Sequence, residues 1–209
     1  MTTTQTMSIH RALSELKTLN DRIPKVIQEA DFIATDRKSA QKINGLSIED
    51  YEKTIQSGFD KAVSLIERRN RLKDAIVQSN AITEVVVAGE TMTVAKAIER
   101  KSSIANEEKL LSMMVGKRRM AINKLTMENE SLPSRLEDYL TAILGNKEHA
   151  KKEEVELHTK SFMDRNEYVL IDPLKLDKRI EEWDERITSF KAEVDAVLSE
   201  SNAITKITI

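Results

Sequence analysis

The chain has 209 residues, of which 33% are charged and only 4% aromatic, and its formal net charge is −2. Such a composition, with apolar residues at helical spacing, is typical of long helices with solvated outer faces. The near-neutral charge gives no electrostatic reason to expect nucleic acid or an anionic membrane as a partner. The absence of cysteine excludes disulfides and thiolate chemistry, and no stretch is apolar enough for a membrane span.

The first two predicted elements are helices with recognisable start signals. Ser8 is placed to cap a helix whose apolar stripe runs over residues 9–27. Pro24 lies inside this stripe, so we expect a kink or a break there. Ser47 followed three residues later by Asp50 resembles a capping box. This pair predicts the start of a long second helix.

A β-hairpin and a third helix are predicted next. Residues 83–87 and 91–94 are rich in β-branched side chains and flank a glycine-containing turn. The third helix is expected from near Thr93 to about Asn129, where Pro133 interrupts it. A short helix then follows and ends at Gly145, which suits the C′ position.

The last part of the chain contains a charged segment and the most regular helix. Residues 146–166 have few apolar anchors and predict either an exposed helix or a mobile arm. Asp172 followed by Pro173 marks a helix start. The helix that follows has apolar residues at alternating steps of four and three, which form a heptad seam: Leu176, Ile180, Trp183, Ile187, Phe190, Val194 and Val197. We expect this seam to pack along a long helix of the same chain or of a second copy.

One five-residue sequence, called the repeated phrase below, occurs twice in the chain. Ser79–Thr83 has the same sequence as Ser201–Thr205, and each copy lies between a helix and β-branched residues. The shared chemistry favours a structural role at a helix end, and a ligand site built from two equivalent junctions is the alternative. Both strands are expected to belong to one small sheet.

These observations predict a mainly α protein that forms a single domain over residues 1–209. We expect an elongated bundle of long antiparallel helices, capped at one end by a small β-sheet made of the hairpin plus the C-terminal strand. A thin core and open sheet edges favour homo-oligomerisation, as a dimer or a tetramer.

Three basic clusters are the candidate ligand-binding residues, because guanidinium groups hold phosphates in a bidentate manner. They are Arg68, Arg69, Arg71, Arg100, Lys101, Lys117, Arg118 and Arg119. The alternative is a solvated face on which these cations pair with neighbouring carboxylates. No metal-ligand spacing, phosphate loop or acid/base pair stands out, so we expect no metal, no cofactor and no enzymatic activity.

The residues around both copies of the phrase carry a resemblance to a known family. Residues 76–101 and 194–209 resemble a family of uncharacterised proteins of tailed phages, especially those of Bacillus and its relatives, and the resemblance extends from Ser8 to Ile209. The hairpin and the following helix are also similar to the septicolysin-like bacterial family, over the central third only. The phage set is similar to the oligomeric sponge proteins that bind cyclic dinucleotides and blunt CBASS immunity.

The resemblance implies a cytoplasmic phage protein of the infected bacterial host. The lead hypothesis is that the chain forms a non-enzymatic helical oligomer that sequesters a cyclic nucleotide immune signal. Tyr51, Phe59 or Tyr168 would then stack on a base of the nucleotide. The alternative is a virion structural or assembly protein that acts through helix-mediated oligomerisation. A DNA-binding accessory factor is disfavoured by the net charge.

Overall fold

The computed structural model describes residues 4–145 and 150–209 of the chain. The chain divides into two compact units, which are described separately below. Unit 1 comprises the residues up to Ser102 together with Ser189–Ile209, and unit 2 comprises Ser103–Thr188.

Helices dominate the described residues, which confirms the predicted mainly α class. The helices are α1 (Ile9–Glu29), α2 (Ile48–Ile82), α3 (Val94–Leu144), α4 (Lys152–Asn166) and α5 (Leu176–Ile204). The strands are β1 (Thr6–Ser8), β2 (Lys42–Ile43), β3 (Leu46–Ser47), β4 (Glu84–Val87), β5 (Glu90–Thr93) and β6 (Lys206–Thr208). Within the charged segment, α4 corresponds to the exposed-helix alternative, and residues 146–149 lie outside the described residues.

The strands form three antiparallel two-stranded sheets, β1–β6, β2–β3 and β4–β5. The predicted hairpin is therefore present as β4–β5. The pairing differs from the single shared sheet expected from the sequence, because the C-terminal strand β6 pairs with β1 and not with the hairpin. Strand β1 has only three residues, two of which carry hydroxyl groups, so the sequence contains no alternating pattern long enough to predict it.

Two prolines lie inside helices that continue past them. Helix α1 runs through Pro24 to Glu29, and α3 runs through Pro133 to Leu144. The predicted interruption of the third helix at Pro133 is therefore wrong. A proline removes one backbone hydrogen bond of a helix, and here Leu132 is buried directly before it. A long helix held by packing on both sides of such a point can bear the loss of that bond.

The helix ends confirm several local predictions. The Ser47 hydroxyl accepts a hydrogen bond from the Asp50 N–H at 3.1 Å and donates one to the Asp50 carboxylate at 2.7 Å. The Ser8 hydroxyl accepts from the Arg11 N–H at 3.3 Å. At the C-terminal end of α3, Gly145 adopts a positive φ of 66° as the expected C′ residue.

The core of unit 1 lies where α1 and α2 pack over the β1–β6 pair. Its buried side chains come from all four elements: Met7, Ile9, Ala12, Leu16, Leu19, Leu72, Ile76 and Ile207. In unit 2, Leu132 and Leu140 of α3 and Phe162 of α4 are buried. Each unit therefore has apolar residues from more than one helix in its interior.

The repeated phrase ends two helices in the same way. In each copy the final threonine donates its N–H to the carbonyl of the serine four residues earlier, at 2.9 Å for Thr83 to Ser79 and 2.9 Å for Thr205 to Ser201. These bonds complete the last turns of α2 and α5, whose terminal carbonyls would otherwise lack a helical partner. The phrase therefore has the structural role expected at both helix ends.

The equivalence extends to the strands and helices beyond the phrase. Thr91-Met92-Thr93 of β5 pairs with β4 as Thr6-Met7-Ser8 of β1 pairs with β6. Thr93 caps α3 by accepting the Lys96 N–H at 3.2 Å, as Ser8 caps α1. Unit 1 thus contains one arrangement twice, namely a helix end, two paired strands and a helix start.

The two copies differ in how their strands are connected. In the β4–β5 pair, Ala88 and Gly89 form the turn, both with positive φ. In the β1–β6 pair, Gln5 and Ile209 exchange two backbone hydrogen bonds of 2.9 and 3.0 Å at the corresponding position. The two parts of the β1–β6 copy therefore come from opposite ends of the sequence.

Candidate functional site

Two of the predicted phosphate-binding arginines join α2 to α1 in unit 1. The Arg68 guanidinium donates to Glu15 Oε1 at 2.8 Å and to Gln5 Oε1 at 2.6 Å. Arg69 donates to Asn20 Oδ1 at 3.3 Å. The Arg68 contact with Glu15 matches the alternative in which the cations pair with neighbouring carboxylates, whereas Arg69 donates to an amide oxygen. These contacts leave Arg71, which is exposed, as the remaining member of this cluster.

The second cluster is also engaged within the chain. Arg100 is only 8% exposed, with its guanidinium carbon 4.3 Å from the centre of the Phe190 ring and Nη1 3.1 Å from Glu90 Oε2. Lys101 forms an ion pair with Asp195. Stacking on an aromatic ring and a carboxylate partner are what a buried guanidinium needs. Arg100 therefore contributes to the packing of unit 1.

The third cluster, on α3 in unit 2, has a different environment. Arg118 forms an ion pair with Asp177 at the start of α5, and the hydrogen bond to this carboxylate raises the pKa of Arg118 above its usual value. Among the residues that the structure describes, neither Lys117 nor Arg119 has an ion-pair partner. Lys117 and Arg119 of this cluster, and the exposed Arg71 of the first, are therefore the predicted cations with neither an ion-pair nor a side-chain hydrogen-bond partner in the described part of the chain.

Local structure positions the α5 side of this cluster. Pro173 does not open the helix as expected, because α5 begins three residues later, at Leu176. The Asp172 carboxylate still acts near the helix start, where it accepts the Leu176 N–H at 2.8 Å. Asp177 then lies in the first turn of α5, opposite Arg118.

Two cavities adjoin the cluster between α3 and α5 of unit 2. The larger, of about 590 Å³, is lined by Val115, Arg118, Arg119, Ile122, Asn123, Asp177, Ile180 and Glu181. The smaller, of about 180 Å³, is lined by Lys117, Arg118, Ala121, Leu170, Ile171, Asp172, Leu176 and Asp177. We call the larger one the α3–α5 cavity. Of the eight predicted site residues, the structure brings three together at these cavities and leaves the other five in unit 1.

The charges of the α3–α5 cavity are balanced. Its lining has two guanidinium groups, from Arg118 and Arg119, and two carboxylates, from Asp177 and Glu181. An anion therefore gains most from Arg119, and gains Arg118 only by displacing Asp177. The apolar residues of the lining, Val115, Ile122 and Ile180, offer a contact surface to a flat or aliphatic group.

The sequence did not identify the acidic residues of this cavity. Arg118 and Asp177 are 59 positions apart, so no local spacing links them. The one available signal was the Asp172-Pro173 start signal five residues earlier, which placed Asp177 near the beginning of the last predicted helix.

The three aromatic residues proposed for base stacking lie in different settings. Tyr51 is buried and donates its hydroxyl to Asp31 at 2.7 Å. Phe59 is 51% exposed on α2, and Tyr168 has the Lys124 ammonium 5.5 Å from its ring centre. None of them lines the α3–α5 cavity.

Residues 4–145 and 150–209 contain no group of three His, Asp or Glu side chains arranged to hold a metal ion. No helix among them has the length and apolarity needed to span a bilayer.

Comparison of the chain with protein-family models, with curated proteins and with solved structures finds no match in any of the three. The phage and sponge resemblances therefore remain expectations from the sequence.

Proposed function

We propose that this chain is a non-enzymatic phage protein that works as a homo-oligomer and sequesters a cyclic nucleotide immune signal in the cytoplasm of an infected bacterium. The α3–α5 cavity is the binding site. One observation carries this assignment: Arg119, which has no ion-pair partner among the described residues, lines a cavity of about 590 Å³ together with the apolar side chains of Val115, Ile122 and Ile180. Small-molecule sites typically have volumes of about 300–1,000 Å³.

The lining offers a partner for each part of a nucleotide. The Arg119 guanidinium binds a phosphate oxygen pair in a fork geometry. The Asn123 amide both donates and accepts, as the edge of a base requires. Ile122 and Ile180 contact the face of the base or the sugar.

The ion pair between Arg118 and Asp177 sets the selectivity of this site. A weakly charged ligand cannot displace Asp177, whereas a phosphodiester that already contacts Arg119 lies close enough to compete for Arg118. Charge-assisted contacts of this kind are individually stronger than neutral hydrogen bonds. The proposal therefore favours ligands with at least two phosphates, such as cyclic oligonucleotides.

Calorimetry and thermal shift with cyclic dinucleotides and cyclic trinucleotides test the proposal. Arg119→Ala should weaken binding by about tenfold or more, since each lost charged hydrogen bond costs about 1.5–3 kcal/mol. Arg71→Ala is the matched control, because Arg71 is an exposed arginine of unit 1 and has no ion-pair partner in the described part of the chain. Absence of heat and of a thermal shift with every ligand would rule the proposal out.

A second function is favoured by a different observation. Ile82 and Ile204, at equivalent positions of the repeated phrase, are 79% and 72% exposed. Large apolar side chains held in water at two matching helix ends are suited to contacts between subunits. A virion structural or assembly protein would use them in this way, and it would be present in stoichiometric amounts in purified particles. Mass spectrometry of virions that finds none of the protein would exclude this role.

A further inference from the structure

The middle of α3 is strongly basic although the whole chain is slightly acidic. Residues 109–127 contain five cations and no carboxylate, whereas the chain as a whole has a formal net charge of −2. This stretch lies entirely in unit 2. Arg118 pairs with Asp177 within unit 2, and the other four cations have no ion-pair partner among the described residues. A local excess of positive charge attracts a partner of opposite charge.

Three exposed methionines lie along this stretch. Met113, Met120 and Met127 are spaced seven residues apart and are 53%, 64% and 71% exposed. Residues seven apart lie on nearly the same side of an α-helix, because two turns contain about 7.2 residues. We call this side of α3 the methionine face.

Lysines are interleaved with the methionines on the same face. Lys109 lies four residues before Met113, and Lys124 lies four residues after Met120, so each is a neighbour of a methionine along the helix. Neither lysine has an ion-pair partner among the described residues. The face therefore combines apolar thioethers with two ammonium groups, of which that of Lys124 also lies 5.5 Å from the centre of the Tyr168 ring.

We propose that the methionine face binds an amphipathic helix of another protein, whose apolar seam is flanked by Asp and Glu. Methionine is flexible and polarizable, and it recurs at surfaces that bind helices of varied sequence. Acidic residues beside the seam would pair with Lys109 and Lys124, as flanking charges do in coiled coils. At about 1.5 Å per residue the face is roughly 28 Å long, enough for about five turns of a partner helix.

The same features disfavour other partners. A membrane-binding helix keeps lysines at the border of its apolar sector, whereas Lys124 lies among the methionines and would be drawn into the acyl region with them. A second copy that presented its own methionine face would bring Lys109 and Lys124 of the two copies together, and like charges repel. Residues 109–127 contain no carboxylate of their own, so the partner would supply the charges that complement Lys109 and Lys124.

Fluorescence anisotropy with designed peptides tests the proposal. The probe is a synthetic helix of about three heptads with Leu at positions a and d and Glu at e and g. The control peptide has Lys in place of every Glu. The full chain should bind the acidic probe and not the basic one.

Two variants locate the binding. K109E/K124E should lose about tenfold or more in affinity for the acidic probe and gain affinity for the basic one, because the sign of the charge contact is reversed. M113S/M120S/M127S should lose a similar factor for the acidic probe without that gain. Both change exposed positions, and circular dichroism checks that the helices persist.

The outcomes are distinct. Binding of the acidic probe that is lost in both variants supports the proposal. No binding, or binding unchanged in both variants, overturns it. Preferential binding to phosphatidylglycerol vesicles or to duplex DNA, with no response to the acidic probe, also overturns it and assigns the face to a membrane or to nucleic acid.

Discussion

Thr83 and Thr205 make the same backbone contact at two places in the chain. The Thr83 carbonyl accepts the N–H of Val94 at 2.8 Å, and the Thr205 carbonyl accepts the N–H of Ile9 at 2.9 Å. Each donor is the first residue of a helix, where amides lack an intrahelical acceptor. The repeated phrase therefore joins the end of one helix to the start of another, and this explains both copies without a ligand.

The equivalence predicts that the chain tolerates circular permutation at the hairpin. A variant that opens the chain between Ala88 and Gly89, and joins Ile209 to Gln5 through Ala-Gly, should keep the native circular dichroism spectrum. The new linker occupies the position that the turn has in the other copy, and new ends at an exposed turn disturb few contacts.

A permutant with the same linker, opened between Ser57 and Gly58 inside α2, is the control. It should be much less stable in urea, because the cut falls within a helix. If the hairpin permutant were as unstable as this control, the two copies would not be structurally equivalent.

Arg100 is predicted to act in stability and not in ligand binding. Arg100→Ala removes the contact with Phe190 and the hydrogen bond to Glu90, and should lower the free energy of unfolding by about 2–3 kcal/mol. Arg68→Ala removes a more exposed contact and should cost about 1 kcal/mol. Urea denaturation compares the two. A stable Arg100→Ala variant that had lost nucleotide binding would contradict this assignment.

Asp177 is predicted to lower the affinity for a nucleotide, because its carboxylate occupies the Arg118 guanidinium. Asp177→Asn frees Arg118 for a phosphate and should tighten cyclic nucleotide binding by about tenfold, the effect of one additional charged contact. Both partners are partly exposed, so the variant should change stability by less than about 1 kcal/mol. Calorimetry of the variant beside the wild type measures the effect. Weaker binding by Asp177→Asn would show that this carboxylate contacts the ligand directly or that the ligand binds elsewhere.

Tyr51 is predicted to make stability depend on alkaline pH. The hydrogen bond from its hydroxyl to Asp31 raises the pKa of Tyr51 above 10.0. Because the folded-state pKa lies above the unfolded one, the stabilisation is complete below about pH 10 and is lost as the pH rises through the folded-state value.

Spectrophotometric titration of tyrosinate checks this assignment. The wild type should show one tyrosine that ionises later than the others, and Asp31→Asn should move its pKa back toward 10. Tyr51→Phe, the control, should abolish that late transition. An unchanged titration in Asp31→Asn would contradict the assignment of the shift to Asp31.

The sequence predicted the features that depend on near neighbours. The caps at Ser8 and Ser47 involve atoms three residues apart, and the hairpin at Gly89 follows from a two-residue turn, so local chemistry was sufficient. The pairing of Thr6 with Thr208 joins residues 202 positions apart, and no local pattern indicates it. The course of α3 through Pro133 depends on packing around Leu132, which a propensity argument does not include.

The candidate site also combines features that near neighbours in sequence determine with features that depend on distant residues. The sequence identified Lys117, Arg118 and Arg119 as one basic cluster, because they are consecutive. It did not separate them from Arg68 or Arg100, since the partners Glu15 and Phe190 are distant in sequence. Only the folded chain distinguishes arginines that hold helices together from those beside a cavity.

The central claim is that this protein binds a cyclic nucleotide as an oligomer. Native mass spectrometry of the protein purified from bacteria that produce cyclic oligonucleotides tests it most directly. We expect an oligomer with additional mass, which denaturation releases as a nucleotide and which Arg119→Ala lacks. A monomer, or an oligomer without additional mass under the same conditions, would contradict the claim.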